Sequence, residues 1–213
     1  MSIVPFVLSG VNKSIVTKTA NFNLNGQCIL IKNLDEEQIN NADDTNISYD
    51  LRVGCEYRDH RDLNKTDLNE DGTIKLLPGT AVIIETLEYV HFPEHRFGQI
   101  LPKVGLLQVG ISNTTSKIDP GYNGNLLITV FNLGKRTEFL KRNQKFCSLI
   151  VQEVGPGVRT YDKDPKKLPG RSKTSIIRNL RDGIDSNAGS IATGALLISA
   201  ILAAFTLYQI ITG

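Results

Sequence analysis

The chain has 213 residues, with 24 Lys or Arg, 22 Asp or Glu, a formal net charge of +2 and 40% hydrophobic residues. Its three cysteines, Cys28, Cys55 and Cys147, are scattered and form no CxxC pair, which excludes a disulfide framework and a thiolate zinc site and agrees with a reducing cytoplasm. Without a charge-free tail and a basic connector, about 160 residues remain, a normal size for one hydrophobic core.

Short β-rich runs recur between turn signals along the first 157 residues. In chain order they are QCILIKNL (27–34), ISYDLRVGCEYR (47–58), GTIKLL (72–77), TAVIIETLEYVHF (80–92), GQILPKVGLLQVGI (98–111), NLLITVFNLG (125–134) and KFCSLIVQEV (145–154). The one helical stretch of note in this part is LDEEQINNADD (34–44), and it is short. This spacing predicts an all-β barrel or jelly roll.

The end of the chain predicts a membrane anchor. Residues 186–213 carry no charge, and 191–211 (IATGALLISAILAAFTLYQII) form a continuous apolar run. At about 1.5 Å per residue a helix of this length spans about 30 Å, the thickness of a hydrocarbon core. A C-terminal core helix is the alternative, but it would normally keep a polar face. We therefore divide the chain into a β domain (1–157), a basic arm and linker (158–187) and a transmembrane helix (188–213).

Charge predicts the orientation of this single-pass anchor. Between Lys135 and Asp185 there are 13 Lys or Arg against 6 Asp or Glu. The positive-inside rule then places the β domain in the cytoplasm, on the inner (cytoplasmic) membrane. Attraction to anionic membrane lipid is part of the same interpretation of this cluster.

Small residues recur along the predicted membrane helix. Those that we expect to pack against other copies, or to line a narrow pore, are Ala192, Thr193, Ser199, Ala203 and Thr206. Small and hydroxyl-bearing side chains permit close helix contact. A passive, alanine-rich anchor remains the alternative, because no charged residue marks an ion path.

The segment IDPGYNG (118–124) is the most specific motif of the β domain, and it is preceded by ISYDLRVG (47–54) and LPGTAVIIETLEYVHFP (77–93). In this order and spacing the three segments resemble the dCTP deaminase and dUTPase superfamily. The resemblance implies a dUTPase-like distorted β-barrel, usually a homotrimer, whose nucleotide pockets lie between subunits.

The same resemblance implies roles for four residues. Asp119 matches a carboxylate that accepts the deoxyribose 3′-hydroxyl, and Tyr122 matches an aromatic residue that stacks under the sugar, while the Pro–Gly turn at Gly121 lets the backbone approach a base edge. Asp119 alternatively caps the turn. Asp50 matches an acid that helps to orient Mg²⁺ near the phosphates; alternatively, it pairs with Arg52 or caps a strand.

Departures from the family pattern concentrate at its reactive positions. Val104 and Gly105 stand where the deaminase branch has serines, Gln108 where it has an arginine, and Thr129 where it has a proton-transferring glutamate. A threonine cannot act as that titrating group. Lys103 keeps a positive charge beside these positions, so anion attraction survives. We therefore expect a pseudoenzyme with no catalytic residues.

The predicted ligand site comprises Asp50, Lys103, Gln108, Asp119, Gly121 and Tyr122, together with Arg171 and Lys173 from the basic arm. Its ligand would be a deoxynucleotide or oligonucleotide signal, with no metal or cofactor beyond Mg²⁺ carried by a phosphorylated ligand. The sequence thus suggests a non-catalytic nucleotide-sensing effector that controls an oligomeric transmembrane pore or membrane disruption in antiviral defence.

By architectural analogy, a partner nucleotidyltransferase would supply that signal to a homo-oligomer of three or more copies. A membrane-tethered dCTP deaminase or dUTP pyrophosphatase with a divergent active site is the alternative. A structural oligomer that binds nothing is a weaker third hypothesis.

Overall fold

The computed structural model describes residues 2–8, 16–18, 28–41, 43, 45–62 and 64–172. The chain divides into two compact units, Met1–Ser172 and Lys173–Gly213. The second unit holds Lys173 and the predicted membrane helix with its small-residue stripe, and it lies outside the described residues. Within the described ranges, neither helix has the length and hydrophobicity that a membrane span requires.

The described chain contains thirteen strands and two short helices. They are β1 (Val16–Thr17), β2 (Ile29–Lys32), α1 (Glu37–Asn40), β3 (Ser48–Asp59), β4 (Asn64–Asp67), β5 (Thr73–Leu76), β6 (Ala81–His91), β7 (Arg96–Pro102), α2 (Val104–Gln108), β8 (Ile111–Asn113), β9 (Ser116–Ile118), β10 (Asn123–Asn132), β11 (Glu138–Lys141), β12 (Lys145–Glu153) and β13 (Arg171–Ser172).

Eleven of these strands form one sheet. Its hydrogen-bonded order is β1–β2–β6–β3–β12–β7–β9, while β10 pairs with β6 and β8, and β4 pairs with β3 and β13. Because β2 pairs with the end of β6 and β3 with its start, these two strands share one edge of β6 and β10 occupies the other. β5 and β11 form a separate antiparallel pair.

The long strands follow from strict alternation along the sequence. In β6 the side chains of Val82, Ile84, Thr86, Glu88 and Val90 are buried, and those between them are half-buried on the opposite face. β10 alternates in the same way after Asn123. Because a strand turns successive side chains to opposite faces, such a pattern buries one whole face of the sheet.

Aromatic and branched side chains fill the core. Phe6, Tyr49, Phe92 and Phe146 are all less than 2% exposed, and the rings of Phe6 and Tyr49 pack with centroids 5.9 Å apart. Each fully buried large apolar side chain contributes about 1.5–3 kcal/mol to folding. The all-β prediction is confirmed.

The structure corrects one predicted strand. The run GQILPKVGLLQVGI (98–111) contains β7, then α2, and then the start of β8. Lys103 has an extended backbone (φ −80°, ψ 129°) just before α2 begins, and neither Val104 nor Leu107 is buried. An apolar run of this length does not distinguish a continuous strand from two strands joined by one helical turn.

Candidate functional site

The segment Asp119–Tyr122 forms a tight turn between β9 and β10. The Tyr122 backbone N–H donates to the Asp119 carbonyl oxygen at 3.1 Å, and Gly121 has φ +81°. Pro at the second position and Gly at the third are the residues that a turn of this kind needs. The Asp119 side chain is 36% exposed and pairs with Lys117 Nζ at 2.5 Å. Its carboxylate is therefore held at the surface, within reach of a ligand.

The Tyr122 side chain is fixed on both sides. Its hydroxyl donates to the Asn125 carbonyl oxygen at 2.5 Å, and its ring packs on Tyr161 with centroids 5.4 Å apart. Burial raises the pKa of Tyr122 to about 12, and the neighbouring Tyr161, Glu85 and Tyr89 add to this shift. The ring thus forms a rigid, neutral wall at physiological pH.

The chain that follows the barrel covers this turn. The Tyr161 backbone N–H donates to the Pro120 carbonyl oxygen at 2.7 Å. A Cβ added at Gly124 would lie 2.5 Å from Pro165 Cβ, so only glycine fits there. Sequence reasoning assigned residues 158–187 to an arm and missed Tyr161. The available signal was that Tyr161 is the only aromatic residue in that segment.

A second cluster joins three adjacent strands. Ser148 Oγ donates to Asp50 Oδ1 at 2.6 Å, and Lys103 Nζ pairs with Asp50 Oδ2. Ser148 is the Cα partner of Asp50 in the β12–β3 ladder, and Lys103 follows β7, which pairs with β12. The Lys103 side chain is 29% exposed, so its charged group is available at the surface. Ser148 was missed because a serine in a strand carries no distinctive sequence signal.

Asp50 does not pair with Arg52, one of its two predicted alternatives. Arg52 Nε instead donates to Glu88 Oε1 at 2.7 Å, and its backbone N–H donates to Glu88 Oε2 at 2.9 Å. Tyr49 Oη donates to Glu88 Oε1 at 3.2 Å. Burial raises the pKa of the fully buried Glu88, and the bonds from Arg52 oppose the shift. This network fixes the β3–β6 contact beneath the Asp50 cluster.

The two clusters lie near opposite ends of β7. Asp119 follows Ile118, whose Cα partner is Gly98, whereas Lys103 comes after Pro102 at the other end of the strand. At about 3.3 Å per residue, the five steps along the strand from Gly98 to Lys103 correspond to about 16 Å. The chain therefore brings Asp119, Gly121 and Tyr122 together, and separately Asp50 and Lys103, but it does not join the two sets.

The remaining predicted ligand residues are not drawn into either cluster. Gln108 ends α2 as an exposed residue. Arg171 lies on β13, where its backbone pairs in parallel with Asn64 of β4. The basic arm is thus tied to the sheet at Arg171 and Ser172, and Lys173 lies outside the described residues. Among those residues, no group of three or more His, Cys, Asp or Glu could hold a metal ion.

The family assignment rests on a match over most of the β domain. Residues 17–154 match the family described as dCTP deaminase-like. The chain belongs to the dCTP deaminase-like family. It is 30% identical over 135 residues to the dCTP deaminase of Thermococcus kodakarensis, covering 62% of this chain and 82% of the relative.

Other relatives carry related names. The dUMP-forming dCTP deaminase of Methanothermobacter thermautotrophicus is 26% identical over 155 residues, covering 62% of this chain and 79% of the relative. A deoxyuridine 5′-triphosphate nucleotidohydrolase of Caldanaerobacter subterraneus is 33% identical over 89 residues, covering 40% of this chain and 60% of the relative.

Among solved structures, the dCTP deaminase of Agrobacterium tumefaciens gives a TM-score of 0.49 at 19% identity, covering 59% of this chain and 44% of the other. The dUTPase of Staphylococcus aureus phage phi11 gives a TM-score of 0.44 at 18% identity, covering 65% of this chain and 99% of the other. Family membership therefore rests on the sequence match.

These relatives overturn the pseudoenzyme prediction. Proteins about 30% identical to this chain are named as dCTP deaminases, and the family is one of enzymes. The prediction used only the side chains at Val104, Gln108 and Thr129. It was wrong because the loss of a group at one backbone position does not preclude an equivalent group from a neighbouring strand.

Proposed function

We propose that the chain is a hydrolytic enzyme acting on a pyrimidine deoxynucleoside triphosphate, with dCTP deamination as the reaction and dUTP pyrophosphate hydrolysis as the alternative. The turn Asp119–Tyr122 carries the proposal, because it presents a surface carboxylate beside a fixed aromatic wall. A carboxylate is a strong acceptor for a sugar hydroxyl, and an aromatic ring supplies a flat apolar surface for the sugar.

The cluster of Asp50, Lys103 and Ser148 would receive the phosphates. The Lys103 ammonium would supply a positive charge and free N–H donors, while Ser148 holds Asp50 beside it. Both Asp50 oxygens are already engaged by these two side chains. A Mg²⁺ ion arriving with the phosphates would have to displace Lys103 from Asp50, so Asp50 as it stands does not fit the metal and we derive no step through it.

The separation of the two clusters supports a homo-oligomeric enzyme. A distance of about 16 Å along β7 exceeds what the side chains of one cluster can bridge. A symmetric assembly of three or more copies would place the turn of one copy beside the Lys103 cluster of the next. The pocket would then form between copies.

The C-terminal segment supports a second proposal, attachment to membrane lipid. This proposal rests on the uncharged residues 186–213 and on the basic residues before them. Alkaline extraction of membranes would test attachment. We expect the 1–213 chain to stay with the membrane and a 1–185 chain to be soluble; if both are soluble, attachment is contradicted.

The effector role rests on the same sequence features alone. It would add a pore lined by Ser199 and Ala203 and a signal from a partner nucleotidyltransferase in antiviral defence. Ion flux that is unchanged in Ser199→Leu would contradict the pore.

Turnover by the full chain in detergent tests the enzymatic proposal. We expect release of ammonia from dCTP, or of pyrophosphate from dUTP. Asp119→Ala should weaken nucleotide binding by about 1.5–3 kcal/mol, the contribution of a hydrogen bond to a charged group. The matched control Asp71→Ala, in the exposed turn before β5, should leave binding unchanged. A parent chain that converts neither nucleotide would refute the proposal.

A further inference from the structure

Glu85 lies on the half-exposed face of β6, opposite the core. In the β10–β6 ladder its Cα partner is Leu127, and the next same-face pair is Thr129 with Ile83. Diagonal neighbours on one sheet face lie within reach of a long side chain. The Glu85 carboxylate therefore covers the same patch of sheet as Leu127 and Thr129.

Both neighbouring strands change register opposite Glu85. In β10 the register shifts between Asn125 and Leu127, and in β3 it shifts between Val53 and Tyr57. At Gly54 an added Cβ would lie 2.5 Å from the Glu85 carbonyl oxygen, so the bulged backbone of β3 closely approaches β6. Bulges commonly occur next to active sites, where they redirect a side chain.

Hydrogen bonds connect this region directly to the Asp119–Tyr122 turn. Tyr122 Oη donates to the Asn125 carbonyl oxygen, and Asn125 Nδ2 donates to the Thr86 carbonyl oxygen at 2.9 Å. Thr86 is the residue after Glu85 in β6. The Glu85 charge is also close enough to contribute to the raised pKa of Tyr122. Glu85 thus lies beside the same aromatic wall that Asp119 flanks.

The surroundings of Glu85 favour its protonated form more than water does. Burial raises its pKa, the Glu56 carboxylate on β3 raises it further, and Lys65 on β4 opposes both. Lys65 is itself paired with Glu56 at 2.5 Å. Within the described part of the chain, no hydrogen bond or ion pair engages the Glu85 side chain. A carboxylate whose pKa is raised and that has no fixed partner is a better proton acceptor than a free one, as a general acid–base group must be.

We propose that Glu85 is the catalytic residue that transfers the proton in hydrolysis of the bound nucleotide. The inference rests on the proposed deaminase function. Glu85 takes a proton from water as the water oxygen bonds to C4 of cytosine. It gives that proton to N3 of the adduct, then takes the remaining hydroxyl proton and passes it to the exocyclic amine. The C4–N4 bond breaks, ammonia leaves, and the ring is left as uracil with a C4 carbonyl and a proton on N3. No redox partner is required.

Steady-state kinetics of the full chain with dCTP test this assignment. Glu85→Gln should lower kcat by about 100-fold or more, the range expected for loss of a general acid–base group, while dCTP binding remains. The matched control Glu70→Gln, in an exposed turn, should keep parental turnover. Parental kcat in Glu85→Gln would overturn the assignment and leave the deaminase function standing. A parent chain without turnover would overturn the function itself.

The pH dependence supplies a second readout that a structural role would not move. Because the reacting form of Glu85 is deprotonated, activity should fall as the pH drops through its pKa. Glu56→Gln removes a charge that raises this pKa and frees Lys65 to lower it. The acidic limb of kcat/KM should therefore move to lower pH in Glu56→Gln. A limb that stays in place would contradict the role of Glu85, whatever the turnover of Glu85→Gln.

Discussion

At the scale of single residues, the buried Glu88 shows how the site is kept in place. Glu88 is fully buried and receives hydrogen bonds from Arg52 and Tyr49. Burying an ionised carboxylate is costly unless a partner compensates its charge. The Arg52–Glu88 pair thus fixes the strand that carries Asp50.

Arg52→Met should destabilise the protein strongly because it leaves Glu88 buried without a counter-charge. We expect the free energy of unfolding to fall by about 3–5 kcal/mol. Denaturant unfolding of the full chain in detergent would measure this change. Arg52→Met combined with Glu88→Leu should recover most of the loss, since an apolar pair of similar volume replaces the ions. A double variant no more stable than Arg52→Met alone would contradict this account of the pair.

Site residues differed in how far the sequence could predict them. Asp119, Gly121 and Tyr122 belong to one contiguous motif, so the turn that joins them was predictable. Ser148 and Glu85 enter their clusters only through strand pairing, and no local pattern reports which residue of another strand lies opposite. The same holds for Val104 and Thr129: the sequence shows that these residues replace reactive groups, but it does not show that strand pairing places the Glu85 carboxylate of β6 near Thr129.

At the scale of elements, the β-rich runs predicted the long strands and the short strands β2 and β5, but not β4, β9 or β11. β6 and β10 bury alternate residues along their whole lengths, and β3 and β12 do so over part of theirs. α2, in contrast, lies inside an apolar run in which helix and strand look alike. The segment after β12 was predicted as a linker from its charge. In its contact with the Asp119–Tyr122 turn, Tyr161 meets Gly121 and Pro165 meets Gly124, and the members of each pair lie far apart in the sequence.

Gly124→Ala tests the packing of that segment on the turn. The added methyl group would lie 2.5 Å from Pro165 Cβ, so residues 160–165 must move away. We expect faster amide hydrogen exchange at Tyr161, whose N–H donates to Pro120. Gly155→Ala is the matched control, because an added Cβ there meets nothing within 4 Å. Equal exchange at Tyr161 in both variants would show that the segment does not depend on this contact.

At the scale of the whole molecule, the described unit holds two separate side-chain clusters rather than one. The Asp119–Tyr122 turn, with Glu85 beside it, lies near one end of β7, and Lys103 with Ser148 lies near the other. An enzyme built on this unit would need a second copy to complete each pocket. If the pocket forms between copies, two variants that are each inactive should recover activity when mixed. A pocket within one chain would not recover it.

Mixing two inactive variants tests this central claim most directly. Asp119→Ala and Lys103→Ala should each abolish most dCTP turnover, because each removes one partial site from every pocket. After the variants are denatured together and refolded at equal amounts, about a quarter of the pockets in a closed ring should combine two intact halves by chance. We therefore predict recovery of about a quarter of the parental turnover in the mixture. A mixture as inactive as either variant alone, beside an active parent refolded in the same way, would contradict a pocket shared between copies.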